Sequence, residues 1–364
     1  MKKVLLIGCG AEIGSNILLL SKKNDFGFDI DTVLNSQIAL DKNFPNLGQE
    51  HAIIARLRLA YPSEQNSIKI SGKNKIKIYG KQTNLVFQDL NQFLSTFKVK
   101  NKWDAIILAT SKNDLKDPTL LNKLLDYGKY VFGMAESDIM TNYYPALLGF
   151  NSKYLNSFDK KNNRLFALGS CQTNGWLAQF RVIISALAEI KSMKIQRVEV
   201  DIVHPDTPTG RIGTKSFSPR EQDARNNLRP SFSQIDGAMK KILSEKQALH
   251  TVSLRVFNEE PGYQINRLFF NGKLSKSFLN DFENKIKICC EKSNGVSSFE
   301  QMPLGSKAFK YRKEIAHMLP QPYLKIYPNC FGKISNINEI ISQAFISNVY
   351  GYCFNALRAI KNII

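Results

Sequence analysis

Val4 to Ile7 is a continuous run of branched apolar residues, closed by glycines at positions 8, 10 and 14 and followed by the apolar stretch Asn16-Ile17-Leu18-Leu19-Leu20. A short apolar run bounded by glycine reads as a strand buried on both faces, and the longer run after it reads as a helix. The pattern repeats downstream. Asp29 to Leu34, Ala105 to Ala109, Tyr130-Val131-Phe132 and Leu165-Phe166-Ala167-Leu168 read as further strands, with a helix over Leu120 to Leu125 between two of them. Ile68-Lys69-Ile70 and Ile76-Lys77-Ile78-Tyr79 alternate apolar and basic residues around Gly72-Lys73-Asn74-Lys75, as a hairpin with one exposed face does. Strands that alternate with helices over the first 168 residues predict a parallel, doubly wound sheet.

Beyond residue 168 the pattern changes. Helices are expected over Trp176 to Ile190 and Ser277 to Cys290, and strands over Arg197 to Val203, Thr251 to Phe257 and Ile265 to Phe270. A long polar loop, Pro205 to Asn227, separates the first two of these strands, and Gln343 to Ile364 is expected to be helical and to return to the first domain. The predicted class is therefore α/β. A domain with a Rossmann-type doubly wound sheet takes residues 1–168 and 345–364, and an α+β domain with a mainly antiparallel sheet takes 169–344.

A chain of 364 residues exceeds one ordinary hydrophobic core, which agrees with two domains. No apolar run approaches the roughly 20 residues that span a bilayer, and the run after Met1-Lys2-Lys3 is too short for a signal peptide, so no membrane association is expected. The six cysteines, at positions 9, 171, 289, 290, 330 and 353, follow neither metal-ligand spacing nor a disulfide framework. A reducing, cytoplasmic setting fits them best, with no metal. The net charge of +19 comes from scattered lysines without an aromatic-basic stripe. It reads as a solvated surface rather than a nucleic-acid interface, with a positive field suited to phosphate-bearing ligands.

Two segments carry chemistry. Gly8-Cys9-Gly10-Ala11-Glu12-Ile13-Gly14 sits between a strand and a helix, the setting in which G-x-G-x-x-G cradles a pyrophosphate. The second strand ends at Asn35-Ser36, where such a fold faces the adenosine ribose. An acid there would select NAD. Ser36, with Lys22, Lys23 and Lys42 near in sequence, also admits NADP, while Asp31 or Asp41 could be the ribose partner. In the other segment, Ser170-Cys171-Gln172-Thr173-Asn174 places a thiol at the turn from a strand into a helix, where backbone N–H dipoles favour a thiolate. The plain alternative for Cys171 is a small buried apolar residue.

With His204-Pro205-Asp206-Thr207, Ser253-Leu254-Arg255-Val256 and Ser347-Asn348-Val349-Tyr350-Gly351-Tyr352, these segments together resemble the glyceraldehyde-3-phosphate dehydrogenase family in order along the chain. The resemblance implies Cys171 as nucleophile, forming a thiohemiacetal and then a thioester, and His204 as its base. It implies that Ser170, Gln172, Thr173, Thr207, Asp236 and Arg255 meet a small phosphorylated aldehyde, and that Asn174 steadies the cysteine turn. Gly8, Gly10, Glu12, Ile13, Gly14, Asn35, Ser36, Thr110 and Asn348 would hold NAD or NADP, with Asn348 on the nicotinamide carboxamide. A homotetramer, or at least a dimer, is the implied assembly.

The departures shape the expected reaction. Glu12 stands where the family carries an arginine beside the cofactor phosphates. Gln172 and Asp236-Gly237 stand at a second anion pocket, where the family has threonines. A carboxylate facing phosphate is costly in a partly desolvated site, so inorganic phosphate is not the expected acyl acceptor. Alternatively, Asp236 is merely solvated. The competing readings are an acyl-phosphate reductase of the semialdehyde dehydrogenase type and a non-catalytic binding paralogue.

Overall fold

A computed structural model describes residues 1–39, 42–43, 46–98, 102–142, 163–205, 228–243, 248–258, 261–302, 305–309, 314–332 and 336–364. It is a mixed α/β chain built on two multi-stranded mixed sheets, of which the first is mostly parallel. Contacts divide it into two compact units, with the divisions falling between Gly169 and Ser170 and between Asn355 and Ala356. Among the described residues no helix is long and apolar enough to cross a membrane.

The strands of the first unit are β1 (Lys2–Ile7), β2 (Phe28–Asn35), β3 (Ile68–Gly72), β4 (Lys75–Ile78), β5 (Lys81–Phe87), β6 (Trp103–Leu108), β7 (Gly128–Gly133), β8 (Thr141–Asn142) and β9 (Leu165–Ala167). Their order across the sheet is β3-β4-β5-β2-β1-β6-β7-β9-β8. From β5 through β8 all neighbours are parallel. Only the β3–β4–β5 meander is antiparallel. The meander extends the expected hairpin by one strand. Tyr79 and Gly80 both have positive φ, 47° and 81°, which is the two-residue turn whose twist suits a tight hairpin. The chain runs from β1 to β2, out to the edge strand β3 and back through β4 to β5, then crosses to β6 on the other side of β1. The strand order therefore reverses at the carboxyl ends of β1 and β6, the place where open α/β sheets generally form a crevice.

One charge lies deep in this unit. Lys22, in the last turn of the helix Glu12–Lys23, is buried with its Nζ 2.6 Å from Asp29 and 3.2 Å from the Gln82 carbonyl. Burial lowers the Lys22 pKa, and the bond it donates to Asp29 opposes that shift.

The second unit contains β10 (Lys194–His204), β11 (Arg229–Ser231), β12 (Ala248–Arg255), β13 (Gly262–Asn271), β14 (Ser297–Glu300), β15 (His317–Pro320), β16 (Leu324–Tyr327) and β17 (Ile337–Ile346). The order is β11-β12-β10-β13-β17-β15-β14, with β16 also on β17. The pairings are antiparallel except for β10 with β12 and β14 with β15. The helix Cys171–Ala186 lies on β13 and β17, and the helix Lys276–Glu291 lies against it. Even-numbered positions of β13 and β17 face these helices and are buried.

The expected helix from Gln343 is corrected here, because Gln343 to Ile346 complete β17 and the helix begins only at Tyr350. The cause is an inverted pattern. The buried positions of β17 include Asn338 and Ser342, whereas Ile337, Ile341 and Phe345 occupy the less buried face. Alternation of buried and open positions therefore does not coincide with alternation of apolar and polar residues.

His317 is fully buried on β15. Its Nε2 lies 2.7 Å from the Ser297 hydroxyl, and burial pushes its pKa down to about 3. An unfolded chain takes up this proton near the ordinary value of about 6.5. Stability from this group is thus complete above about pH 6.5 and is lost as pH falls toward 3. The His317→Gln variant, which does not titrate, should show a shallower loss of urea midpoint between about pH 6.5 and pH 4. Identical slopes for the two chains would contradict the assignment. For Lys22, Asp29→Asn should destabilise the fold by about 3 kcal/mol in denaturant melts, because a buried ammonium loses its counter-ion. A change below about 0.5 kcal/mol would mean that the pair contributes nothing.

Candidate active site

In the first unit the glycine loop follows β1 into the helix Glu12–Lys23 at the point where the strand order reverses. Gly8 has φ +91°, and a Cβ there would lie 2.7 Å from the Ala109 carbonyl. Gly14 is tighter still: a Cβ would stand 1.8 Å from the Gly8 carbonyl oxygen, so only glycine lets the helix close on the loop. The strand tips are laced together, with Gly8 N–H donating to Leu34 and Ala109 N–H to Ile7. Asn35 Oδ1 accepts from Gly10 N–H at 2.9 Å, and Thr110 Cγ2 packs beside Gly8. Gly8, Gly10, Asn35 and Thr110 therefore meet at one place, with Gly10, Glu12, Ser36 and Thr110 exposed and Ile13 half-buried.

Three expectations for the ribose are corrected. Asp31 accepts from Trp103 Nε1 at 3.2 Å and lies within β2 rather than at its tip. Lys22 is committed to Asp29, and Lys23 pairs with Glu64. Both lysines are in the last turn of the helix whose first turn follows the glycine loop, so they lie at the opposite end of the helix. Asp41 lies outside the described residues, and Lys42 is exposed.

In the second unit Ser170 caps the helix Cys171–Ala186 by accepting from Thr173 N–H at 3.1 Å, which makes Cys171 the first helical residue. Asn174 Nδ2 donates to the Ser170 carbonyl at 3.0 Å and tightens the same turn. Cys171 is half-buried, whereas Cys9, Cys290 and Cys353 are buried. Burial pushes the Cys9 and Cys290 thiols up to about 12.

Asn348 stands against the thiol, with Nδ2 3.4 Å from Cys171 Sγ. Its Oδ1 accepts from Gly262 N–H at 2.6 Å. The carboxamide expected to hold a nicotinamide is thus engaged by the chain's own groups.

Gln172 and Thr173 are buried and turn into the fold, which corrects their expected side-chain role toward a substrate. Gln264 Nε2 donates to both the carbonyl (2.8 Å) and the Oε1 (2.7 Å) of Gln172. Gln264 Oε1 in turn accepts from Gln179, whose own Oε1 accepts from Ser342. Gln172 is a member of a buried amide chain under the helix. Asp236 lies in the first turn of the helix Ile235–Ile242, partly exposed and paired with Lys240 at 2.7 Å. The solvated alternative describes it, and its charge is already balanced.

His204 ends β10 half-buried, and its Cα partner on β12 is Arg255, whose own partner on β11 is Arg229. Residues paired in this way point to the same face of a sheet. Arg255 is buried on a strand between two neighbours, not on an edge, and its Nη1 donates to the Pro205 carbonyl at 3.4 Å. Thr207 lies outside the described residues, as do residues 206–227 of the long loop.

Four residues escaped the sequence reading. Arg229 follows the polar loop and carried no apolar pattern to mark it as strand. Gly262 and Gln264 begin a strand expected only from residue 265, and Gln179 lies among apolar helix residues. Polar residues inside an apolar run were the available signal, since buried amides need partners. Among the described residues no group of three or more His, Cys, Asp or Glu is placed to hold a metal. No protein-family model matches the chain, and no curated protein is recognisably similar to it in sequence.

Proposed function

We propose that the chain is a nicotinamide-dependent aldehyde dehydrogenase of the glyceraldehyde-3-phosphate dehydrogenase type, acting on a small phosphorylated aldehyde through a covalent cysteine intermediate. The observation that carries this reading is Cys171 as the first residue of a capped helix, half-open, with a side-chain donor on its sulfur. A helix N-terminus and a hydrogen-bond donor both favour the thiolate, the nucleophilic form. In the first unit the glycine loop at the sheet's reversal supports a Rossmann-type site for NAD or NADP. The exposed carboxylate of Glu12 weakens its hold on a pyrophosphate.

In this mechanism Cys171 Sγ attacks the aldehyde carbon and forms the carbon–sulfur bond of a thiohemiacetal. His204 takes the hydroxyl proton as the carbonyl re-forms. A nicotinamide cofactor held at the glycine loop Gly8 to Gly14 would supply the acceptor for the hydride that leaves that carbon. What remains is a thioester on Cys171. Arg255, whose planar guanidinium suits a phosphate, sits on the inner strand β12 and orients the substrate phosphate.

Neither departure at the second anion pocket offers an exposed donor to inorganic phosphate. The Gln172 side chain is buried, and Asp236 only accepts. The reason for expecting another acyl acceptor is therefore missing donors rather than repulsion. Water or a different nucleophile completes the cycle. A cytoplasmic homotetramer belongs to the same reading.

The test is turnover of small phosphorylated aldehydes with NAD and with NADP, with and without inorganic phosphate. Cofactor reduction should be independent of phosphate, abolished in Cys171→Ser and lowered about 100-fold or more in His204→Asn. Absence of turnover across the panel would remove the enzyme reading, and strict phosphate dependence would remove the acceptor claim.

A further inference from the structure

We propose that Asn348 is a positioning residue that donates a hydrogen bond to the Cys171 sulfur and holds it as thiolate, with the backbone N–H of Gly262 setting the direction of that donation. The two ends of a carboxamide differ chemically, and here a backbone group tells them apart. Gly262 N–H can only donate, so the atom 2.6 Å from it must be the amide oxygen. The amide nitrogen is then the atom that faces Cys171 Sγ at 3.4 Å. An N–H aimed at sulfur stabilises the negative form more than the neutral thiol, which lowers the pH at which the thiolate appears.

The close approach depends on glycine at position 262. A Cβ there would lie 2.8 Å from Asn348 Oδ1 and 2.4 Å from Gln172 Nε2, so any side chain displaces the amide. Among the described residues, the side chains and backbone groups named in this contact are uncharged. Gln172 and Gln264 contribute amides, Gly262 a backbone N–H, and the first turn of the helix Cys171–Ala186 has no acid. The titratable group assigned to the thiol in the proposed mechanism is His204, at the end of β10, beside the cation of Arg255. The inference rests on Cys171 being the nucleophile, but on neither cofactor nor aldehyde.

The experiment follows alkylation of Cys171 by iodoacetamide in the full chain, read on its own peptide by mass spectrometry from about pH 5 to about pH 10. It is run in the unaltered sequence and in His204→Asn. Asn348→Asp is nearly isosteric and still accepts from Gly262, so it keeps the fold while placing a carboxylate against the sulfur. In both backgrounds Asn348→Asp and Asn348→Ala should raise the pH midpoint by about one unit, with alkylation about tenfold slower at neutral pH and Asp the larger effect. Gly262→Ala should shift it in the same direction without altering the amide itself. Unchanged midpoints in folded Asn348→Asp and Asn348→Ala, checked by circular dichroism, would overturn the inference. Because no aldehyde or cofactor is present, a failed turnover assay leaves this result intact, and the reverse also holds.

Discussion

Two glutamines hold the start of the helix Cys171–Ala186 to the sheet beneath it. Gln264, fully buried on β13, spends both hydrogens of its amide on Gln172. A buried amide that loses its partner costs about 1–3 kcal/mol, so this contact has one favoured geometry and little tolerance for a shifted helix. Gln179 and Ser342 continue the chain of amides toward β17, which ties the register of the helix to two strands at once. The orientation of the thiol follows. Once the helix start is fixed on β13, Gly262 of the same strand is close enough to orient Asn348, and Asn348 reaches the sulfur.

In the first unit the main constraint is close backbone contact, which glycine permits, with polar contacts added around it. Gly14 and Gly8 let the helix Glu12–Lys23 press onto the tip of β1, where any side chain would collide with backbone. Polar contacts then brace the loop from the side, as Asn35 does at Gly10. The buried Lys22–Asp29 pair secures the far end of the same helix. Charge near the glycine loop in sequence is therefore no guide to charge near it in space, since Lys22 serves the core and Lys23 pairs with Glu64 at the far end of the helix.

What the sequence made legible follows from how each signal arises. The parallel strands β1, β6 and β7 are apolar on both faces, and their runs announced them. Cys171 at a capped helix start was also readable, because Ser170 and Asn174 are the residue types that bond to a helix's first turn. The polar interior of the second unit was not readable. Asn338 and Ser342 interrupt the apolar rhythm of β17, and Gln264 extends β13 beyond its apolar segment, so the end of β17 read as helix and an anchor went unnoticed. Gln172 illustrates the same limit at the site. Its position in the motif suggested a substrate contact, and its burial shows that one residue after the thiol the helix already faces inward.

The central claim is that Cys171 forms a covalent bond to substrate through a sulfur presented at a helix start. Its most direct test is to quench the protein with aldehyde and oxidised cofactor within a single turnover, digest it and weigh the peptides. The account predicts an acyl adduct on Cys171 that hydroxylamine removes, with Cys9 and Cys290 unmodified because burial holds their thiols up at about 12. Cofactor reduction without an acyl adduct on the Cys171 peptide, or an adduct carried by another residue, would contradict it.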